Sequence, residues 1–149
     1  MSKNKPHCLL VDESEYYRRH MRQVLTRGCP KVPLLIARSF AEARTRLEEQ
    51  VIGFIFMDNL LPDGTGIDFA EELSHNAKAA HIPVALVCDH LTPFLHAKAE
   101  KLKVRRVWTK HQFKAPEVLQ VLAENGMVER RLAEAGWEGT RRDRRAAIQ

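Results

Sequence analysis

Four dipeptides carry the side chains that could do chemistry here: Asp12-Glu13, Asp58-Asn59, Cys88-Asp89 and Thr109-Lys110. Each closes or directly follows a short, mostly apolar run. Three close carboxylates repel one another, and without a cation at least one pKa should rise. A hard divalent ion relieves the repulsion, and Mg2+ favours one or two carboxylates plus water and phosphate oxygens. A lysine adds a mobile point charge suited to phosphate. Together these groups suit an aspartate that attacks a phosphoryl group and forms an acyl phosphate. Taken singly, an Asp after a strand is most often a helix cap or turn former, and a Lys there is usually solvated. The joint occurrence is what matters.

Whether the four dipeptides meet depends on the elements that carry them. Apolar runs HCLLV (7–11), VPLLIA (32–37), GFIFM (53–57), IPVALVC (82–88) and RRVWT (105–109) read as five strands. Helical patterns separate them. Tyr17, Met21, Val24 and Leu25 share one face of the first, which Gly28 stops. Ser39 caps the second, Glu42 completes a capping box, and Phe40, Ala43 and Leu47 form its inner stripe. A third runs from about Gly66 to His75 with Ile67, Ala70 and Leu73 inward. A polar fourth spans 92–102. Pro116 sits in the first turn of the last, with Val118, Leu119 and Leu122 inward. Alternating β and α with strands apolar on both faces predicts a parallel sheet covered on both sides. In such a sheet ligands bind beyond the carboxyl ends of the strands, where the four dipeptides would converge.

Three stretches resemble the receiver domains of two-component response regulators, over about residues 5–126. LLVDESEYYRR is similar to their acidic-pair stretch, MDNLLPDGTG to their phosphoacceptor loop and WTK to their lysine stretch, at fitting spacing. The resemblance implies a flavodoxin-like (βα)5 doubly wound α/β fold of sheet order 2-1-3-4-5. It implies Asp58 as phosphoacceptor, with Mg2+ held by Asp12, Glu13, Asp58 and the backbone carbonyl of Leu60. Lys110 would pair with Asp58 and then with phosphoryl oxygens. The implied partners are a histidine kinase or phosphotransfer protein, and an effector reading the helix-four, strand-five, helix-five face (Lys98, Lys101, Lys103, Arg106). Similarity to stand-alone receivers implies output by protein–protein contact. The chain would catalyse its own phosphoryl transfer rather than act as an enzyme on a separate substrate.

The sequence departs from the family pattern at four positions. Cys88 stands where the family usually has Thr or Ser, and a thiol is a weak donor. Asp89 replaces a small residue and adds charge beside the phosphate unless its side chain turns outward. Val107 replaces the switch aromatic, while the adjacent Trp108 should face the other side of its strand. His111 replaces the proline whose bond is habitually cis. Glu13 in place of a second Asp is one methylene longer. Cys88 also admits two further readings, a redox thiol or a buried apolar filler, of which the filler is favoured.

Composition leaves room for other functions and removes some. The 149 residues, 44% hydrophobic and 29% charged, fit one globular domain. No apolar run reaches a membrane span and the N-terminal run is too short for a signal peptide, so cytoplasm is the expected location. Three scattered cysteines (Cys8, Cys29, Cys88) read as reduced thiols without zinc spacing. The seven histidines (His7, His20, His75, His81, His90, His96, His111) read as surface or loop residues. Glycine-rich nucleotide loops are absent. Net charge is +5, concentrated in 96–114 and in the tail. The segment 127–149 reads as a basic extension, a helix continuation or a frayed tail, with fraying expected beyond about 138. Two rival functions follow: a phosphorylation-independent pseudo-receiver adaptor, and, less favoured, a nucleic-acid binder using Arg130–Arg145.

Overall fold

The structure, a computed structural model, describes residues 5–129. Five strands, β1 (His7–Val11), β2 (Leu34–Ala37), β3 (Ile52–Met57), β4 (Val84–Cys88) and β5 (Arg106–Thr109), form one parallel sheet of order β2-β1-β3-β4-β5. The helices are α1 (Glu15–Gly28), α2 (Phe40–Glu49), α3 (Gly66–Ser74), α4 (Pro93–Lys101) and α5 (Ala115–Glu124). This is the flavodoxin-like α/β arrangement expected. Strands start later than their apolar runs where Pro33 and Pro83 intervene. Neither has an N–H for the ladder, yet their carbonyls accept from Cys8 and Ile55.

Alternation along the strands builds two cores. Leu9, Val11, Ile55, Met57, Leu86 and Cys88 face one side, under Phe40, Ala43, Ile67, Leu73 and Leu95 from α2, α3 and α4. Cys8, Leu10, Phe54, Phe56, Val87 and Trp108 face the other, against Met21 and Leu25 of α1 and Val118, Leu119 and Leu122 of α5. Phe69 joins the α3 stripe predicted without it. Val107 packs with the first core and Trp108 with the second, as the two-residue period requires.

Side chains from distant segments finish the helix ends. Ser39 Oγ accepts from Glu42 N as foreseen, but Glu42 Oε2 accepts from Arg38 N at 3.3 Å rather than from the cap residue. The remaining orphan donors of α2 are met from the β3–α3 loop: Asp63 accepts from Phe40 N (3.2 Å) and Ala41 N (3.0 Å). The Ala41 N–H leads in holding the Asp63 carboxyl below its ordinary value. A depressed folded pKa stabilises above the unfolded value and loses that stabilisation as pH falls through the folded one. Asp63→Ala is therefore expected to cost about 0.5–2 kcal/mol at neutral pH. The gap to the native protein should close below about pH 4 in thermal melts.

α5 stops at Glu124, and Gly126 adopts φ +77 while Met127 N donates to Leu122 O at 2.9 Å. This is a left-handed helix stop, so over 125–129 a turn replaces the helix continuation. Met127 lies across β3, where a Cβ on Gly53 would fall 2.5 Å from its sulfur. The fraying expected beyond about 138 and the arginines Arg130–Arg145 lie outside the described residues.

Candidate functional site

The ladder extends one residue past β1 and β3 and fixes two carboxylates. Asp12 N donates to Ala37 O (3.1 Å) and Asp58 N to Val11 O (2.9 Å). Both side chains are buried among apolar strands, Asp12 1% and Asp58 7% exposed. From the far side of the sheet Lys110 reaches them: its Nζ is 3.1 Å from Asp12 Oδ2 and 3.2 Å from Asp58 Oδ2. Lys110 opens a short 3-10 turn (Lys110–Gln112) directly after β5. Thr109 N donates to Gln112 Oε1 at 2.8 Å, and Phe113 sits in the second core, so the lysine's backbone is held on both sides. The Lys110–His111 peptide is not cis; all peptide bonds among the described residues are trans.

The loops aim these groups. Ser14 N donates to Asp12 Oδ1 (2.8 Å), and Ser14 Oγ caps α1 by accepting from Tyr17 N. Arg18 donates to the carbonyls of Asp12 (2.8 Å) and Glu13 (2.7 Å). Asp58 Oδ1 accepts from Leu60 N at 3.2 Å. Leu60–Leu61 pair antiparallel with Gly64–Thr65, making a tight hairpin around Pro62-Asp63. Gly66 N donates to Asn59 O (2.8 Å), and Asn59 Oδ1 accepts from Ile67 N (3.0 Å), tying the loop to the start of α3. Gly66 is needed for closeness: a Cβ there would lie 2.6 Å from Asp58 O and 2.8 Å from Leu86 Cδ2.

Electrostatically the site holds two carboxylates and one ammonium. Burial is the largest influence on Asp12 and raises its pKa; the Ser14 N–H and Lys110 pull the other way without cancelling it. Burial alone would lower Lys110, but Asp12 and Asp58 together outweigh it and hold the ammonium above the ordinary lysine value. Asp12 Oδ2 meets Lys110 as a charge contact off hydrogen-bond angles, so this buried oxygen has no hydrogen-bond donor. A buried ionised carboxyl with an excess like charge beside it is costly. Asp12→Asn is accordingly expected to raise the melting temperature in metal-free buffer at neutral pH. A lower melting temperature would show that the Lys110 pairing outweighs desolvation.

Of the predicted residues, Asp12, Asp58 and Lys110 meet. Glu13 is exposed, and among the described residues no three His, Cys, Asp or Glu side chains gather into a cation site. The Leu60 side chain is exposed. Asp89 is exposed too, which removes its charge from the buried pair. Cys88 Sγ lies within hydrogen-bond reach of His90 O (3.4 Å) and Trp108 O (3.7 Å), so its single S–H is turned to backbone. Burial first, then the Asp58 and Asp89 charges, push its pKa up to about 11, which leaves almost no thiolate at neutral pH. Burial supports the filler reading of Cys88. Six histidines are exposed as expected, but His7 is half-buried and its Nδ1 has no partner among the described residues. The basic face is thinner than the sequence suggests. Lys98 turns to α3, where it pairs with Asp68 (3.4 Å) and Glu71 (3.5 Å), and Arg106 pairs with Glu124 (2.6 Å).

The sequence reading took Tyr17 only as a core residue, and it gave Arg18, Asn59 and Asp63 no individual bonding role. Asp63 and Asn59 carried a signal, since both bracket the Pro62 turn and such residues bond nearby N–H groups. Arg18 and Tyr17 carried none, because their partners lie across a loop or beyond the end of a distant strand.

Known proteins share this fold. A family model, Response regulator receiver domain, matches residues 8–123. The Sensory transduction protein LytT of Enterococcus faecalis (strain ATCC 700802 / V583) is 30% identical over 83 residues, 56% of this chain. That match spans only 34% of LytT's own length. A two-component response regulator from Legionella pneumophila superposes with TM-score 0.72 at 19% identity, covering 83% of this chain and 100% of its own. The Mn(2+)-bound form of response regulator Rcp1 superposes with TM-score 0.69 at 21% identity, covering 83% and 96%. At such identities the superpositions speak for the fold, while the family match covers most of the chain. The chain therefore belongs to the response regulator receiver domain family of two-component signalling.

Proposed function

We propose that this chain accepts a phosphoryl group on Asp58 and relays it as a signal. The observation that carries the reading is Lys110 Nζ set 3.1 Å from Asp12 and 3.2 Å from Asp58 at the carboxyl edge of the sheet. An Asp58 oxygen would attack phosphorus as the bond to the donor's leaving group breaks. The donor would be the phosphohistidine of a histidine kinase or phosphotransfer protein in the cytoplasm. Lys110 would follow the charge onto the phosphoryl oxygens, a neutralisation worth most in a water-poor site. No separate substrate is turned over.

A divalent ion fits this chemistry through the donor-free Asp12 Oδ2, with Asp58 and the Leu60 carbonyl as the other protein ligands. Glu13 would act at most through water. When bound, Mg2+ would neutralise charge on the transferring phosphoryl group. Rcp1, a fold neighbour, has a Mn(2+)-bound form. Output would pass by protein contact through exposed Lys101, Lys103 and Arg105 more than through Lys98 or Arg106, which are paired. Residues 1–126 would be the receiver unit and 127–149 its basic extension.

A second reading is an adaptor that works without phosphate. Its support is the switch machinery: the Cys88 thiol is turned to backbone carbonyls, and Trp108 is packed away from the site beside Val107. Intact-mass spectrometry after Mg2+ and acetyl phosphate separates the two. A phosphoryl adduct is expected. An unchanged mass, where a control receiver is loaded, favours the adaptor.

A further inference from the structure

We propose that Tyr17 is a positioning residue for Lys110, its ring face closing the one side of the ammonium that the carboxylates leave open; this rests on the phosphoacceptor reading above. Lys110 Nζ lies 3.6 Å from the Tyr17 ring centroid. An ammonium has three N–H groups. One is donated to Asp58 Oδ2 at 3.2 Å, Asp12 Oδ2 stands 3.1 Å away as a charge contact, and the negative face of the ring covers the side that remains. The enclosure leaves the Lys110 side chain 8% exposed.

The ring is placed by the site itself. Asp12 Oδ1 receives Ser14 N, Ser14 Oγ receives Tyr17 N, and Arg18 clamps the same turn to the carbonyls of Asp12 and Glu13. The carboxylate that attracts the lysine thus also sets the helix turn that covers it. Tyr16, one residue earlier, is 76% exposed and meets Tyr17 edge-on. The Tyr17 hydroxyl makes no hydrogen bond among the described residues, so the ring face is the working part. Lysine is a flexible four-carbon stem ending in a strongly hydrated charge. Without the ring the ammonium would turn to water on that side and the charge would stray from Asp58. With it, the ammonium is already in place when phosphate arrives.

The test compares Tyr17→Phe, which keeps the face, with Tyr17→Leu, which keeps apolar bulk and removes it. Lysine ε-methylene signals are read by NMR, with Lys110 assigned through Lys110→Arg. A ring over the ammonium moves the Lys110 signal upfield of every other lysine in the native protein and in Tyr17→Phe, and the displacement vanishes in Tyr17→Leu. Phosphate incorporation from acetyl phosphate with Mg2+ should slow about fivefold in Tyr17→Leu, the factor of a partly exposed cation–π contact. It should stay within about twofold in Tyr17→Phe. A Lys110 signal at the ordinary lysine position in the native protein overturns the proposal, as does a Tyr17→Phe variant as slow as Tyr17→Leu. If Tyr17→Leu does not fold, the native and Tyr17→Phe spectra still decide. If the native chain takes no phosphate while its Lys110 signal is displaced in native and Phe forms alone, the positioning stands and the phosphoacceptor reading falls.

Discussion

Asp58→Asn and Asp58→Ala are expected to take up no phosphate from acetyl phosphate and Mg2+, while the native chain gains a phosphoryl adduct. The effect is all-or-none because it removes the nucleophile. Among the described residues Asp12 is the only other carboxylate at Lys110, and it cannot substitute easily. It is 1% exposed, and its Oδ1 is held by Ser14 N at 2.8 Å. Asp58 is the more accessible of the two at 7% and sits at the rim of the hairpin loop. The Asn variant is the stricter test, since its carbonyl can still accept from Leu60 N and contact Lys110. Loss of the adduct with an unchanged fold then isolates the chemistry from the geometry. An adduct that persists in Asp58→Asn moves the acceptor elsewhere and overturns the assignment.

Gly66→Ala should cost about 1–3 kcal/mol, the usual penalty for forcing a methyl into a filled space. The new Cβ would stand 2.6 Å from Asp58 O, 2.8 Å from Leu86 Cδ2 and 3.2 Å from Asn59 Cα. Two of these are backbone atoms, which yield less readily than a side-chain tip. A melting temperature lower by about 2–4 °C per kcal/mol is expected in a thermal scan. Phosphate uptake should fall as well, because relief of the clash pushes the Asp58 backbone and loosens the Gly66–Asn59 hydrogen bond. Gly28→Ala is the control. Its Cβ would meet side-chain atoms at 3.7–3.9 Å, ordinary contact at the end of α1, and a change within about 0.5 kcal/mol is expected. Equal destabilisation by the two changes would show that loss of glycine, not the crowding at Asp58, sets the cost.

Much of the framework was legible from the order of residues alone. Strand and helix repeats are local, and five apolar runs alternating with helical stripes leave little freedom in a parallel sheet. Asp12, Asp58 and Lys110 follow strands β1, β3 and β5, so the topology that places those strand ends also brings the three side chains to one edge. The opposite facings of Val107 and Trp108 follow from the two-residue period in the same way.

What the tertiary structure decided is how neighbours from other segments compete for each group. Glu13 follows Asp12 directly but turns to solvent, with its carbonyl taken by Arg18. Lys98 was counted as part of a basic face, and α3 supplies Asp68 and Glu71 to claim it. Asp63 reads as a turn residue and proves also to cap α2 from 22 and 23 positions away. Tyr17 reads as core and proves to cover the site's lysine. A spacing pattern reports the periodicity of a chain's own backbone, whereas a charge or hydrogen-bond donor takes whichever partner the packed neighbours bring within about 3 Å. That selection has no period to read.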